Sequence, residues 1–188
     1  KIEFYLTYYS FYFIYIIQMI NLEEVIEQTE EICLKAISEN PNNFKYVDFQ
    51  TPKMCSGAVK LDGLLLEFVK EQTEEICIEA VKQNSDAFKF VEFQTHNICL
   101  EAVKINGFLL EFVREQTEDI CIEAVKQNGF ALHMVEFQTP QICYEAIKNS
   151  VVTLMYVISQ TEELCWDALK LHSMAIKYIE YPTTEMCL

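Results

Sequence analysis

The chain has 188 residues, 51% of them hydrophobic and 23% charged, with a formal net charge of −15. That balance is globular and excludes an intrinsically disordered chain, which lacks the apolar content to build a core. The acidic excess repels the phosphates of nucleic acid and the anionic surface of a membrane, so neither is expected as a partner.

Residues 1–22 form a hydrophobic, aromatic segment unlike the rest, with Tyr5, Tyr8, Tyr9, Tyr12 and Tyr15 in close succession. Glu3 interrupts it, the apolar run falls short of a bilayer span of about 20 residues, and tyrosine prefers membrane interfaces to the centre. A signal peptide would need a basic start and a small-residue cleavage site, and neither is present. Leu22 and Val25 lie 22 residues before Phe44 and Val47, so the segment reads as a degenerate cap on the downstream chain, or as sequence upstream of a start at Met19. Membrane association would require residues 1–20 to insert.

From residue 23 to 188 one spacing governs the chain. Cysteines stand at 33, 55, 77, 99, 121, 143, 165 and 187, every interval being 22 residues. Thr29, Thr51, Thr73 and their successors precede each Cys by four. Gln28 to Gln160 precede the first seven threonines, and Pro182 breaks that column. A fixed period of this length marks a stack of similar units, each burying its apolar face against the next. Seven units span 29–182, and Thr183–Leu188 opens an eighth, which implies a fragment of a longer array.

Within each unit the spacing predicts two short helices. The first starts at Thr, whose hydroxyl can cap the free amides of the first turn. Glu74, Glu118 and Glu162 then suit the helix dipole, and Pro52 and Pro140 occupy a first helical position that needs no hydrogen bond. Ile76, Cys77, Ala80 and Val81 share one helical face. Asp62-Gly63, Asn106-Gly107 and Asn128-Gly129 read as turns with glycine C-caps, and Asn40-Pro41 as another stop. A second helix is expected from there to the Gln, because Phe88 and Val91, like Leu110 and Val113, are spaced i,i+3. The alternation Phe88-Lys89-Phe90 would also allow a strand, but the ladder signature of leucine-rich horseshoes is missing. The fold class is therefore all-α, an α-solenoid of 22-residue helix-turn-helix repeats.

Two columns are assigned to the repeat core: Cys33, Cys55, Cys77, Cys99, Cys121, Cys143 and Cys165, and Ala36, Ala58, Ala80, Ala102, Ala124, Ala146 and Ala168. Alanine lets neighbouring helices approach to about 8–10 Å, and free cysteine behaves as a small hydrophobe. Equivalent Cys one helix apart lie beyond the roughly 7 Å that a disulfide tolerates, and no CxxC pair points to zinc. Neither metal nor cofactor is expected. Unpaired thiols indicate a reducing compartment, the cytoplasm.

Two further columns alternate in sign: Lys45, Glu67, Lys89, Glu111, and Asp48, Lys70, Glu92, Arg114. A third alternates Phe49, Glu71, Phe93, Glu115, Phe137, which points to a 44-residue super-repeat. The checkerboard fails at Met155 and Ile158, while Tyr144 and Trp166 enlarge a column elsewhere filled mostly by Ile or Leu. These four residues are the candidate partner surface, since exposed aromatic and Met side chains anchor protein contacts. His96, His133 and His172 fall at different repeat positions and form no His-x-x-x-His pair, no glycine loop cradles a phosphate, and eight equivalent Cys argue against one special nucleophile. No catalytic, metal or cofactor residue is assigned.

The phrase Gln-Thr-x-x-Ile-Cys-x-x-Ala-Val-Lys-Gln-Asn-Gly at 116–129, varied through 23–188, resembles a helical repeat family of unknown function, abundant in mimivirus-like giant viruses and present in some bacteria. Its unit of about two 22-residue repeats matches the super-repeat. The resemblance implies no activity; for a viral protein the cytoplasm expected from the thiols is that of the host cell. The sequence thus predicts a monomeric, non-enzymatic scaffold for an unidentified protein partner. Its alternatives are a self-assembling structural element and the repeat region of a longer protein whose activity lies elsewhere.

Overall fold

The computed structural model describes residues 22–24 and 27–188; the apolar segment 1–20 lies outside them. Among the described residues there is no strand. Seven α-helices of ten residues recur in register: α1 (Glu30–Glu39), α2 (Pro52–Leu61), α3 (Glu74–Gln83), α4 (His96–Ile105), α5 (Glu118–Gln127), α6 (Pro140–Asn149) and α7 (Glu162–Leu171). A Thr precedes each, and in six of the seven its hydroxyl accepts from the third amide of the helix, as Thr73 does from Ile76 at 3.4 Å. At Thr117 the hydroxyl instead donates to Asp119 Oδ1.

The second helix of each repeat is shorter and tighter than expected. It is a 3-10 helix: η2 (Pro41–Tyr46), η3 (Gly63–Phe68), η4 (Ser85–Phe90), η5 (Gly107–Phe112), η6 (Gly129–Met134), η7 (Val151–Tyr156) and η8 (Ser173–Lys177), with a shorter η1 at Leu22–Glu24 and η9 at Glu185–Cys187. In η2 to η7 it ends before the valine of its repeat, well short of the Gln, so Asp48, Lys70 and Arg114 follow the helix rather than ride on it. No separate turn joins the two helices. One residue, such as Asn106, caps both: its amide closes α4 on Ala102 O, and its Oδ1 accepts from Phe108 N at 3.1 Å.

The glycines after these caps are not left-handed; none of the chain's described glycines has a positive φ. They are needed for proximity. A Cβ on Gly107 would lie 2.5 Å from Ala124 O of the following repeat, and one on Gly129 would lie 2.8 Å from Ala146 O. The Gly107 amide donates to Gln127 Oε1 at 2.7 Å and the Gly129 amide to Asn149 Oδ1 at 2.9 Å, so the next repeat's side chain receives it.

The chain forms two compact units, dividing between Val91 and Glu92. In the first, α1, α2 and α3 pack in sequence with η2 to η4 beside them; in the second, α4 to α7 do the same with η5 to η8. Each unit has the all-α architecture of a helical-repeat solenoid. The seven Ala of the named column are 0–1% exposed and the first seven Cys 1–4%. Phe44, Leu66, Phe88, Leu110, Leu132 and Leu154 of the 3-10 helices are wholly buried against them.

The Gln column supplies the polar joint between repeats. Gln116 Nε2 donates to Leu110 O of its own repeat at 3.3 Å and to Met134 O of the next at 3.0 Å. Its Oε1 accepts from Glu136 N at 3.0 Å and faces the Cys121 thiol at 3.8 Å. Gln28 and Gln138 make the same four contacts, Gln28 reaching back to Leu22. Burying a backbone carbonyl between repeats without a partner would be costly, and this carboxamide removes that cost twice over.

Candidate functional site

Between the Gln and the following α-helix the chain runs extended, and every second repeat lifts a phenylalanine off it. Phe49, Phe93 and Phe137 are 75%, 78% and 82% exposed, and Tyr181 continues the series at 83%. Large aromatic rings at such exposure, at a fixed 44-residue interval, are not explained by packing.

Each of the three phenylalanines borders a groove. The Phe49 groove (190 Å³) lies between the starts of α2 and α3 and is floored by Cys55 and Ile76. The Phe93 groove (320 Å³) lies between α4 and α5, over Cys99 and Ile120. The Phe137 groove (400 Å³) lies between α6 and α7, over Cys143 and Leu164. At the next residues along the rim stand Lys70 and Glu71 in the first, Arg114 and Glu115 in the second, Ile158 and Ser159 in the third.

The alternation has a cause at the first helical position. Helices α1, α3, α5 and α7 begin with Glu, whereas α2, α4 and α6 begin with Pro52, His96 and Pro140. Within a unit, a leading Glu reaches the next repeat's cap: Thr51 Oγ1 donates to Glu30 Oε1 at 3.0 Å and Thr139 Oγ1 to Glu118 Oε1 at 2.6 Å. Those bonds tie neighbouring repeats together at their caps. Proline at 52 and 140 cannot make the bond, and the Phe49 and Phe137 grooves lie beside those two prolines. In the second groove His96 Nε2 meets Asp119 Oδ2 at 2.9 Å across the opening. The Thr117 hydroxyl, and after it His96, hold the Asp119 carboxyl below its ordinary value.

The rim cations are tied to main chain. Lys70 Nζ donates to Asp48 O at 2.9 Å and Arg114 Nη1 to Glu92 O at 2.8 Å, one repeat back. In the column that alternates Asp48, Lys70, Glu92 and Arg114, each cation thus bonds the backbone of the acidic residue one repeat back. On the helices, Glu101–Lys104 (3.0 Å) and Glu123–Lys126 (2.9 Å) form as spaced, while Glu79 binds Ser56 (2.6 Å) and Lys60 (3.0 Å) of the preceding repeat.

Of the four residues expected at a partner surface, Ile158 is 78% exposed and lines the Phe137 groove. Met155, 57% exposed, lies on η7 next to Tyr156, whose ring sits 5.7 Å from His133 and 6.1 Å from Phe130. Tyr144 and Trp166 are half-buried on α6 and α7. The sequence columns had already shown the Phe and Glu alternation; the exposure of the rings and the grooves lined by Pro52, His96 and Pro140 come from the structure.

Burial pushes the thiols of Cys55, Cys99 and Cys143 on the groove floors above their ordinary value, and that of Cys121 up to about 11. The grooves therefore hold neutral, weakly reactive sulfur. Among the described residues no three His, Cys, Asp or Glu side chains gather as a metal site, and no helix is long and apolar enough to cross a membrane.

Residues 96–138 match a family described as a domain of unknown function (DUF4116). That stretch is one super-repeat, from the start of α4 to the Gln before α6. No curated protein and no solved structure matches the chain.

Proposed function

We propose that this protein is a non-enzymatic helical-repeat scaffold that binds a protein partner through its Phe-headed grooves, with Met155 and Ile158 extending that surface at the third. The observation that carries this reading is the recurrence of an exposed phenylalanine beside an open junction in every second repeat. Exposed aromatic anchors over small apolar floors are the usual energetic centres of protein contacts. Seven buried cysteines outside any disulfide favour a reducing compartment, the cytoplasm, and the host's cytoplasm on a viral origin.

The test compares wild type with the variant Phe49→Glu, Phe93→Glu, Phe137→Glu. Cross-linking in cell extract with mass-spectrometric readout should show protein partners that the variant loses, with its melting temperature unchanged. Sedimentation should show a monomer for both. Identical cross-link sets would overturn the scaffold reading, and concentration-dependent assembly of the wild type alone would favour a self-assembling element.

A further inference from the structure

The two grooves of the second unit differ in a way that selects their occupants. At the Phe93 groove the rim pair is Arg114 and Glu115. The Arg114 guanidinium, itself exposed, donates back to Glu92 O at 2.8 Å, and two exposed carboxylates, Glu115 on the rim and Asp119 across the opening, stand against its one charge. An accessible aromatic face in the same groove as a carboxylate is the combination that holds a cationic side chain. At the Phe137 groove the corresponding pair is Ile158 and Ser159, and Pro140 and Leu164 complete an apolar lining. That groove suits an aliphatic or aromatic side chain.

The repeat fixes the distance between them. The grooves are two repeats apart, and stacked helices are separated by about 8–10 Å, which gives about 16–20 Å. An extended chain advances about 3.3 Å per residue, so that gap corresponds to about five or six residues. Glu118 and Asp119 at the start of α5 and Glu162 and Glu163 at the start of α7 are exposed beside the grooves, and Glu136 lines the second; these carboxylates draw a basic segment and repel an acidic one.

We propose that the Phe93 and Phe137 grooves are two sockets of one site for an extended basic peptide, the first taking an Arg or Lys and the second an apolar side chain about six residues away. This rests on the scaffold reading and gives it a ligand chemistry. Both rings already stand exposed, so binding requires no rearrangement of the stack.

The probe is a short fluorescein-labelled Gly/Ser/Lys peptide carrying one Arg and one Leu at that spacing, titrated against the full chain by fluorescence anisotropy. Its comparator has the same composition with Arg and Leu adjacent, and a labelled oligo-dT stands for nucleic acid. The spaced peptide is expected to bind about tenfold tighter than the comparator, and Phe93→Ala and Phe137→Ala are each expected to weaken it about fivefold. Glu115→Gln should weaken it about threefold and flatten the salt dependence. Circular dichroism melting verifies that the variants stay folded. Equal binding of both peptides, unchanged by the Phe variants, would reduce the effect to attraction by a diffuse acidic surface and overturn the proposal, as would preference for oligo-dT. Loss of native partners by the triple Phe→Glu variant with no binding of either peptide would overturn the basic-peptide site alone. Unchanged partners in that variant would overturn the scaffold reading as well.

Discussion

Cys121 is 2% exposed, its thiol faces Gln116 Oε1 at 3.8 Å, and the carboxylates of Asp119, Glu136 and Glu118 surround it. Burial first, and these charges second, raise its pKa from 9.0 to about 11. A thiol whose folded value lies above its unfolded one favours the neutral, folded form. The stability it contributes is whole below about pH 9 and is lost as the pH rises toward 11. The expected alkaline signature is a fall in urea midpoint across that window, smaller in Cys121→Ala than in wild type. Because the thiolate is the nucleophile, native alkylation should be slow at all seven buried cysteines and fast only at exposed Cys187. Intact mass after brief iodoacetamide treatment should therefore show a single adduct, and full labelling only in denaturant; rapid multiple labelling of the native chain would refute the buried-donor role. The periodic spacing made these cysteines legible as core. Their facing an acceptor was not legible, since a Gln five residues upstream is as compatible with solvent as with a thiol.

At the scale of the element, the two kinds of glycine predict opposite outcomes. Gly57 lies inside α2 with its nearest neighbour 4.0 Å from a hypothetical Cβ, at Leu34. Gly57→Ala should stabilise by about 0.5–1 kcal/mol, through helix propensity and a less free unfolded chain. Gly107→Ala should cost about 2–3 kcal/mol, because a methyl 2.5 Å from Ala124 O cannot be accommodated without separating η5 from α5. Chemical denaturation of the pair measures both; a neutral Gly107→Ala would mean the repeats have slack that the structure does not show. The sequence places the first helix of each repeat with its Thr cap, and the start of a second, since Thr, Pro and Asn carry local signals. The 3-10 character of the second helix was not legible. Its six residues are pinned at one end by a shared cap and at the other by the valine that must reach the core, and i,i+3 spacing fits either helix. The glycines also misled as C-caps, because Asn-Gly reads as a left-handed turn when only the following repeat reveals the crowding.

Across each unit, stability is a sum of repeat terms and junction terms, and the carboxamide column dominates the polar part of the junctions. Gln116→Leu removes bonds to Leu110 O, Met134 O and Glu136 N at once. At about 1 kcal/mol for each net hydrogen bond, the expected loss is about 2–4 kcal/mol in equilibrium unfolding, well beyond that of a surface Gln elsewhere. A loss under half of that would show that water replaces the amide. The groove face was partly legible at this scale: alternation of Phe and Glu is visible in the letters, but whether a ring is sunk or lifted depends on the junction beneath it. The glycine contacts carry a wider consequence. Gly63, Gly107 and Gly129, which offer an amide, stand twenty residues before Gln83, Gln127 and Asn149, which accept it. Pro41, which has no amide to offer, and Val151 stand twenty before Leu61 and Leu171. The repeats resemble dominoes more than beads: a glycine faces an acceptor and a Pro or Val stands with a leucine, so drift at one of these positions calls for a compensating change in the next repeat.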